Sequence, residues 1–490
     1  MVQFGRAHAG HPEIELTGDH LTRRGPANPA DAGLVSRPVR HLDGASLAAG
    51  PIATDPWTVP GWRPAPTIYM AGAGGVGNIG AEAIFLALVR MFQQRWPRAR
   101  FVLSAWRPER VRRLVADLPG DFRVIRQTIP LDRPRELRAA DLFVVCGDVA
   151  LTETVIPLLP NYWAARALWA RLFGAQVVFL GIEAEPINRW LNRGVIRRVL
   201  NRTVRYYVPR NEDSRAILAG LSADPGLLLL GCEPALMIAD DDLIPFPAPP
   251  MDRDGAERLV GFAVRDHFSK PLRLEWRRAR LRRRDARPGH LSRTMQKTVR
   301  YLARLADRLV ERHGARIVFI PHHRLTGEEK VILTDAEVAR RIIKEMRYPE
   351  ATAILPEDLH PFAVMNAYRQ LDLVVSMRHH ANSFAYRFGV PTIGCAVSEK
   401  IVRHFRHVGQ ESLLVDPRDP DPVPGERAVD LAVLNHEALS EELRARLPGA
   451  QAAMNRAMDV VVRGIGGPAG VPTRRRSRAM AAPTRSRPLD

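Results

Sequence analysis

The chain has 490 residues, 46% of them hydrophobic and 26% charged. That composition excludes a disordered chain, a fibrous repeat and a small disulfide scaffold, and at about 150 residues per domain the length suggests two or three domains. The formal charge of +19 raises nucleic acid or an anionic membrane as a partner. Its distribution narrows that reading, because residues 270–300 carry a net +10 and residues 464–490 a net +5, leaving +4 on everything else. A body that binds nucleic acid throughout its surface is therefore not expected. Cys146, Cys232 and Cys395 lie far apart with no CxxC spacing, which fits buried small hydrophobes in a reducing compartment better than a disulfide framework or a zinc site. Residues 1–40 are too broken by charge, Gly and Pro for a secretory signal, and no apolar run reaches 18 residues. The expectation is a cytoplasmic protein.

In chain order, residues 1–64 read as a disordered arm rich in Gly, Pro, Ala and Asp, followed by an N-terminal Rossmann-like domain over 65–240. Its predicted strands are TIYMAG (67–72), FVLSAW (101–106), FRVIRQ (122–127), DLFVVCG (141–147), AQVVFLG (175–181) and RYYVPR (205–210), alternating with helical stretches, one of them starting near Ala81. LLLLGCEPAL (227–236) ends this half, and the Pro- and Asp-rich segment 240–254 reads as a linker. A second Rossmann-like domain spans 255–463, with strands at 258–265, 315–323, 351–356, 372–380 and 390–396 and the basic segment 270–300 inserted. Residues 464–490 read as a disordered basic tail. Alternating short apolar strands and amphipathic helices predict parallel α/β sheets, whose ligands bind beyond the carboxyl ends of the strands.

Chemistry-bearing residues gather at those ends. Gly72-Ala-Gly74-Gly75-Val-Gly77-Asn78-Ile-Gly80 separates a strand from a helix, where glycines let backbone approach a ligand and the helix N-terminus favours negative charge. No acidic residue follows FVLSAW, where a dinucleotide ribose would need one, so the GxGxxG reading is set aside. Ser376-Met377-Arg378-His379-His380 leaves an apolar strand and enters a helix, and a cation beside imidazoles suits an anionic ligand and proton transfer. Arg210 follows RYYVP, His322 and His323 follow ARIVFIP, and Lys400 lies beyond TIGCAVS. Arg265, at the end of RLVGFAVR, and Glu82, in the first turn of the first helix, are further cleft candidates.

These residues carry a resemblance to the polysaccharide pyruvyl transferase family over roughly 66–460. A G-N-x-G-D-E-A-I type motif stands as Gly77-Asn78-Ile79-Gly80-Ala81-Glu82-Ala83-Ile84, with Ala81 in place of the acid. A D-L-V-I-x-G-G-G type strand stands at 141–147, with Cys146-Gly147-Asp148 in place of the glycine run. A V-R-D-x-x-S element stands as Pro209 to Ser214, and the M-R-x-H-A segment as Met377-Arg378-His379-His380-Ala381, followed by Ala385 to Pro391 and Lys400.

The resemblance implies an α/β fold of two Rossmann-like domains facing across a cleft, glycosyltransferase-B-like. It implies phosphoenolpyruvate as donor substrate with no further cofactor and no metal, and pyruvate placed as a ketal on a sugar diol. Arg210 and Arg378 would hold the donor's carboxylate and phosphate, with Lys400 and the turn Gly77, Asn78 and Gly80 also on the donor. His380 would be the general acid or base, and His379 would occupy the variable position. The acceptor would be a glycan or lipid-linked glycan, and segment 270–300, with Trp276 among its arginines, would lie against anionic lipid at the inner membrane face. Two other readings compete: a nucleotide-sugar glycosyltransferase of the same fold, for which Glu399 is the nearest ribose carboxylate, and a catalytically silent binding protein. A steep salt dependence of nucleic-acid affinity would mark the latter.

Overall fold

The computed structural model describes residues 65–72, 74–128, 133–147, 150–153, 156–246, 252–253, 255–268, 291–323 and 333–466. The proposed arm at 1–64, residues 270–290 of the basic segment, Asp148, and residues 467–490 of the tail lie outside them.

Six strands form the first sheet: β1 (Thr67–Gly72), β2 (Arg100–Ala105), β3 (Asp121–Arg126), β4 (Leu142–Cys146), β5 (Gln176–Ile182) and β6 (Tyr206–Pro209). Every pairing is parallel and the order is β3-β2-β1-β4-β5-β6. β4 is buried along its whole length, which is why it reads as an unbroken apolar run rather than an alternating one. The second sheet repeats the plan with β7 (Arg258–Ala263), β8 (Ala315–Phe319), β9 (Thr352–Ile354), β10 (Leu373–Ser376), β11 (Thr392–Cys395) and β12 (Leu414–Val415). Its order, β12-β11-β10-β7-β8-β9, is the same winding. Both sheets therefore reverse direction once, between β1 and β4 and between β7 and β10, and such switch points open a crevice at the carboxyl ends of the strands.

Helices cover the sheets. In the first domain they are α1 (Ile79–Arg95), α2 (Pro108–Leu114), α3 (Pro134–Arg138), α4 (Leu159–Leu172), α5 (Trp190–Val195, continuing through a π-helical turn) and α6 (Glu212–Gly220). In the second they are α7 (Arg293–His313), α8 (Asp335–Glu345), α9 (Pro361–Tyr368), α10 (His379–Arg387), α11 (Glu399–Val408), α12 (Val423–Leu434) and α13 (His436–Gly466). The stretch 293–300 of the basic segment opens α7, whose end is set by Gly314 at φ +55.

The two domains share one apolar core, which runs from Ile68 and Phe92 to Phe362, Tyr368 and Phe384 and on to Met454 and Val461. α13 returns from the second domain to the first, where Asp459 pairs with Arg95 at 2.9 Å and Gln451 donates to Leu236 O at 2.7 Å. This places Gly464 in the fold rather than in the expected tail. A Cβ on Gly464 would stand 1.9 Å from Tyr206 Oη, so the helix continues to Gly466 against that ring. The start of the expected linker is likewise held: Asp242 pairs with Arg90 at 2.6 Å, and Arg387 binds Asp240 at 2.7 Å.

Candidate active site between the two sheets

The carboxyl ends of the two sheets meet. Ile79 N donates to His322 O at 2.9 Å, and Asn78 and His323 form an antiparallel bridge. At the second switch point β7 and β10 pair Ala263 with Ser376, so the residues just beyond them, Arg265 and Arg378, emerge side by side. Arg378 is buried and ion-paired to Asp335, the first residue of α8. The other oxygen of Asp335 accepts from the backbone of both His322 and His323 at 2.9 Å. Burial and the charge of Arg378 lower Arg265 to about 10, with Asp335 and Asp266 opposing. His322 is buried, 2.6 Å from Tyr368 Oη, and burial together with Arg378 and His380 holds it well below the usual histidine value, so it is neutral.

The glycine turn closes this region from the other domain. Asn78 caps α1 by accepting from Gly80 N at 3.1 Å and Ala81 N at 3.4 Å. Gly77 has φ +75, the left-handed region that glycine adopts without strain. Its N–H donates at 3.1 Å to Glu82, whose carboxylate is gripped by Arg110 at 2.6 and 2.7 Å. Glu82 thus shapes the turn from beneath. Gly80 faces His380 directly, for a Cβ there would lie 2.1 Å from His380 Cγ and 2.2 Å from Nδ1. Only glycine lets the imidazole sit where it does.

A second cluster adjoins the first. Arg210, at the end of β6, is buried between Glu183 and Glu233, with Glu233 at 2.7 Å. Lys400 Nζ stands 3.9 Å from Glu183 and 3.8 Å from Glu185, and Arg403 is 3.9 Å from Glu183. Burial favours the neutral form of Glu183, but Arg210, Lys400 and His379 outweigh it and hold the carboxyl at about 2. His379 Nε2 lies 3.5 Å from Glu233. Burial and the neighbouring cations push His379 down to about 3 despite Glu183, so it too is neutral at pH 7. Arg210, His379, Lys400, Arg403 and His404 line a cavity of about 180 Å³.

The predicted residues therefore come together in two adjoining groups. Arg378, His380, His322 and Arg265, with Gly77, Asn78 and Gly80, form one, and Arg210, His379 and Lys400 form the other. Because 378, 379 and 380 open one helix, consecutive side chains point into different surroundings. His379 lines the cavity, whereas His380 packs on the glycine turn. Sequence reasoning missed Glu183, Glu185, Glu233, Asp335, Arg403 and His404. Glu183 and Glu185 were within reach of it, since they follow an apolar strand in the same way that Arg210 does.

A family model described as polysaccharide pyruvyl transferase matches residues 78–399. No curated protein matches the chain by sequence. Among solved structures the fold is similar to a protein described as a UDP-N-acetylglucosamine 2-epimerase from Listeria monocytogenes, at 14% identity and TM-score 0.52, covering 82% of this chain and 98% of that one. It is also similar to UDP-GlcNAc 2-epimerase from Neisseria meningitidis bound to UDP-GlcNAc, at 14% identity and TM-score 0.50, covering 81% and 99%. Identities this low speak for a shared glycosyltransferase-B-like fold of two Rossmann-like domains.

Proposed function

Since the chain belongs to the polysaccharide pyruvyl transferase family, we propose that it moves the pyruvyl group of phosphoenolpyruvate onto two hydroxyls of a sugar, as a ketal, in the assembly of a polysaccharide or lipid-linked glycan. In that reaction the methylene carbon of the donor gains a proton and becomes a methyl group. Two sugar oxygens bond to the central carbon, each losing its proton, and the C–O bond to phosphate breaks. One hydroxyl proton is balanced by the new methyl hydrogen and the other leaves with the phosphate.

The observation that supports this reading is the convergence of cations and neutral imidazoles where the two sheets meet. A small donor with a carboxylate at one end and a phosphate at the other needs guanidinium or ammonium groups at both ends, and Arg378 with Arg265 on one side and Arg210 with Lys400 on the other supply them. Arg210 already holds two carboxylates, so its share in donor binding is exerted together with Lys400 and Arg403 around Glu183. His380 is the proposed acid or base, held by Gly80 and next to His322, which is neutral. The test is incubation with phosphoenolpyruvate and glycans bearing free diols, following phosphate release and the ketal methyl signal by NMR. Replacement His380→Ala or Arg378→Ala should abolish both signals, and undiminished turnover in either variant removes that residue from the mechanism.

A further inference from the structure

One face of the first domain is apolar, basic and open to solvent. Trp190 is 82% exposed, Ile156 and Leu158 51% each, and Leu191 44%. A buried side chain draws these two segments together. Asn192 donates to Pro157 O at 2.8 Å and to Glu153 at 2.6 Å, and Asn161 donates to Asn192 at 3.0 Å. The start of α5 is thereby fixed beside the start of α4. Large side chains left in water by so well-anchored a backbone are not explained by a failure to pack.

The charge around them is mainly positive. Residues 186–205 contain six arginines and no acidic residue, and residues 156–172 contain no acidic residue either. Arg189, Arg193, Arg197, Arg198 and Arg202 are exposed. Glu153 lies within the face, where it accepts from the backbone of Asn188 and Arg189 and from Asn192, whereas Glu185 turns to Thr152 and Lys400. The same segment leaves β5 directly after Glu183 and Glu185.

We propose that this face docks on an anionic lipid bilayer, with Trp190, Leu191, Ile156 and Leu158 among the headgroups and the arginines on lipid phosphates. An indole with its apolar body and polar N–H suits that interface, and long guanidinium side chains reach phosphate from a shallow insertion. A second copy of the chain is the poorer occupant, because a two-fold interface sets a patch against itself and would oppose arginine with arginine. Docked in this way, the chain would be held at a surface that carries lipid-linked glycan acceptors. That last point rests on the pyruvyl-transfer reading, whereas the docking does not.

The test is flotation of the full chain with vesicles of phosphatidylcholine alone and of phosphatidylcholine with phosphatidylglycerol, without donor or acceptor. Binding is expected only with the anionic vesicles. It should fall at least about ten-fold in a Trp190→Ala/Leu191→Ala variant. It should fall about five-fold for each of Arg193, Arg197 and Arg198 changed to Ala, and the triple variant keeps the question answerable if the first one misfolds. Equal binding to neutral vesicles, or anionic binding that survives both variants and disappears on deleting 269–290, overturns the proposal. So does an oligomer that both variants dissociate while vesicle binding is absent, which would make the face a protein interface. Phosphate release on a water-soluble diol should be unchanged in both variants. A wild-type chain that floats with anionic vesicles but releases no phosphate refutes the reaction and leaves the docking standing.

Discussion

Replacing Gly80 by Ala probes the contact between the domains at the proposed catalytic histidine. In an ordinary helix the change would stabilise the fold by about 1 kcal/mol, since alanine loses less backbone entropy than glycine. Here the new methyl group would stand 2.1, 2.2 and 2.3 Å from Cγ, Nδ1 and Cβ of His380. The imidazole must retreat by about 1 Å to reach even a tight contact, a displacement that costs on the order of a hundred-fold when it moves a reacting group. Overpacking of this kind costs about 1–3 kcal/mol, so it cancels or outweighs the propensity gain and thermal stability falls by a few degrees at most. The assay is phosphate release from phosphoenolpyruvate alongside a thermal melt, with Gly220→Ala as control because nothing lies within 4 Å of a Cβ there. Gly80→Ala should lose nearly all turnover with little loss of stability. Wild-type turnover in that variant would show that the turn does not position His380 for the reaction.

Glu183→Gln removes the charge that balances Arg210, Lys400 and Arg403. Its carboxyl is held at about 2, below the unfolded value, so it contributes stability above pH 4.5 that is lost as pH falls toward 2. Thermal melts of the wild type should show that acid slope, and the variant should have a flatter one together with a loss of roughly 3 kcal/mol at neutral pH. His379 works in the same pH direction for another reason: held at about 3, it must take up a proton in acid only when the chain unfolds, so His379→Phe should reduce the slope between pH 6.5 and 3. Arg378→Ala leaves Asp335 buried without its cation and should destabilise the fold by about 3–5 kcal/mol, measurable by urea denaturation. Arg110→Ala frees Glu82 from its bidentate partner and should weaken apparent affinity for phosphoenolpyruvate through the glycine turn, read as a rise in KM.

Most strands were legible because their burial is written locally. LFVVC and VVFLG are apolar without alternation, which a parallel sheet covered on both faces requires. The boundaries were less clear. Residues 372–380 read as one strand with a polar end, but the ladder stops at Ser376, and His379 and His380 already belong to α10. The helical start turns the neighbouring imidazoles apart, so their separate surroundings could not be read from a strand pattern. The role of Glu82 was equally hidden, since its partner Arg110 lies on the next helix and no spacing rule joins them.

By itself, then, the sequence determined two parallel α/β halves, the glycine turn, and the set of cations and histidines placed at strand ends, because hydrophobic period and turn chemistry act over a few residues. Tertiary structure alone decided which of those groups meet. The switch point sets Arg265 beside Arg378, the crossover after β5 buries Glu183 against Arg210, and the docking of the two sheets brings Gly80 onto His380. Charge pairing and close packing act through space, and their partners are chosen only when the crossovers and the shared core have fixed the distances.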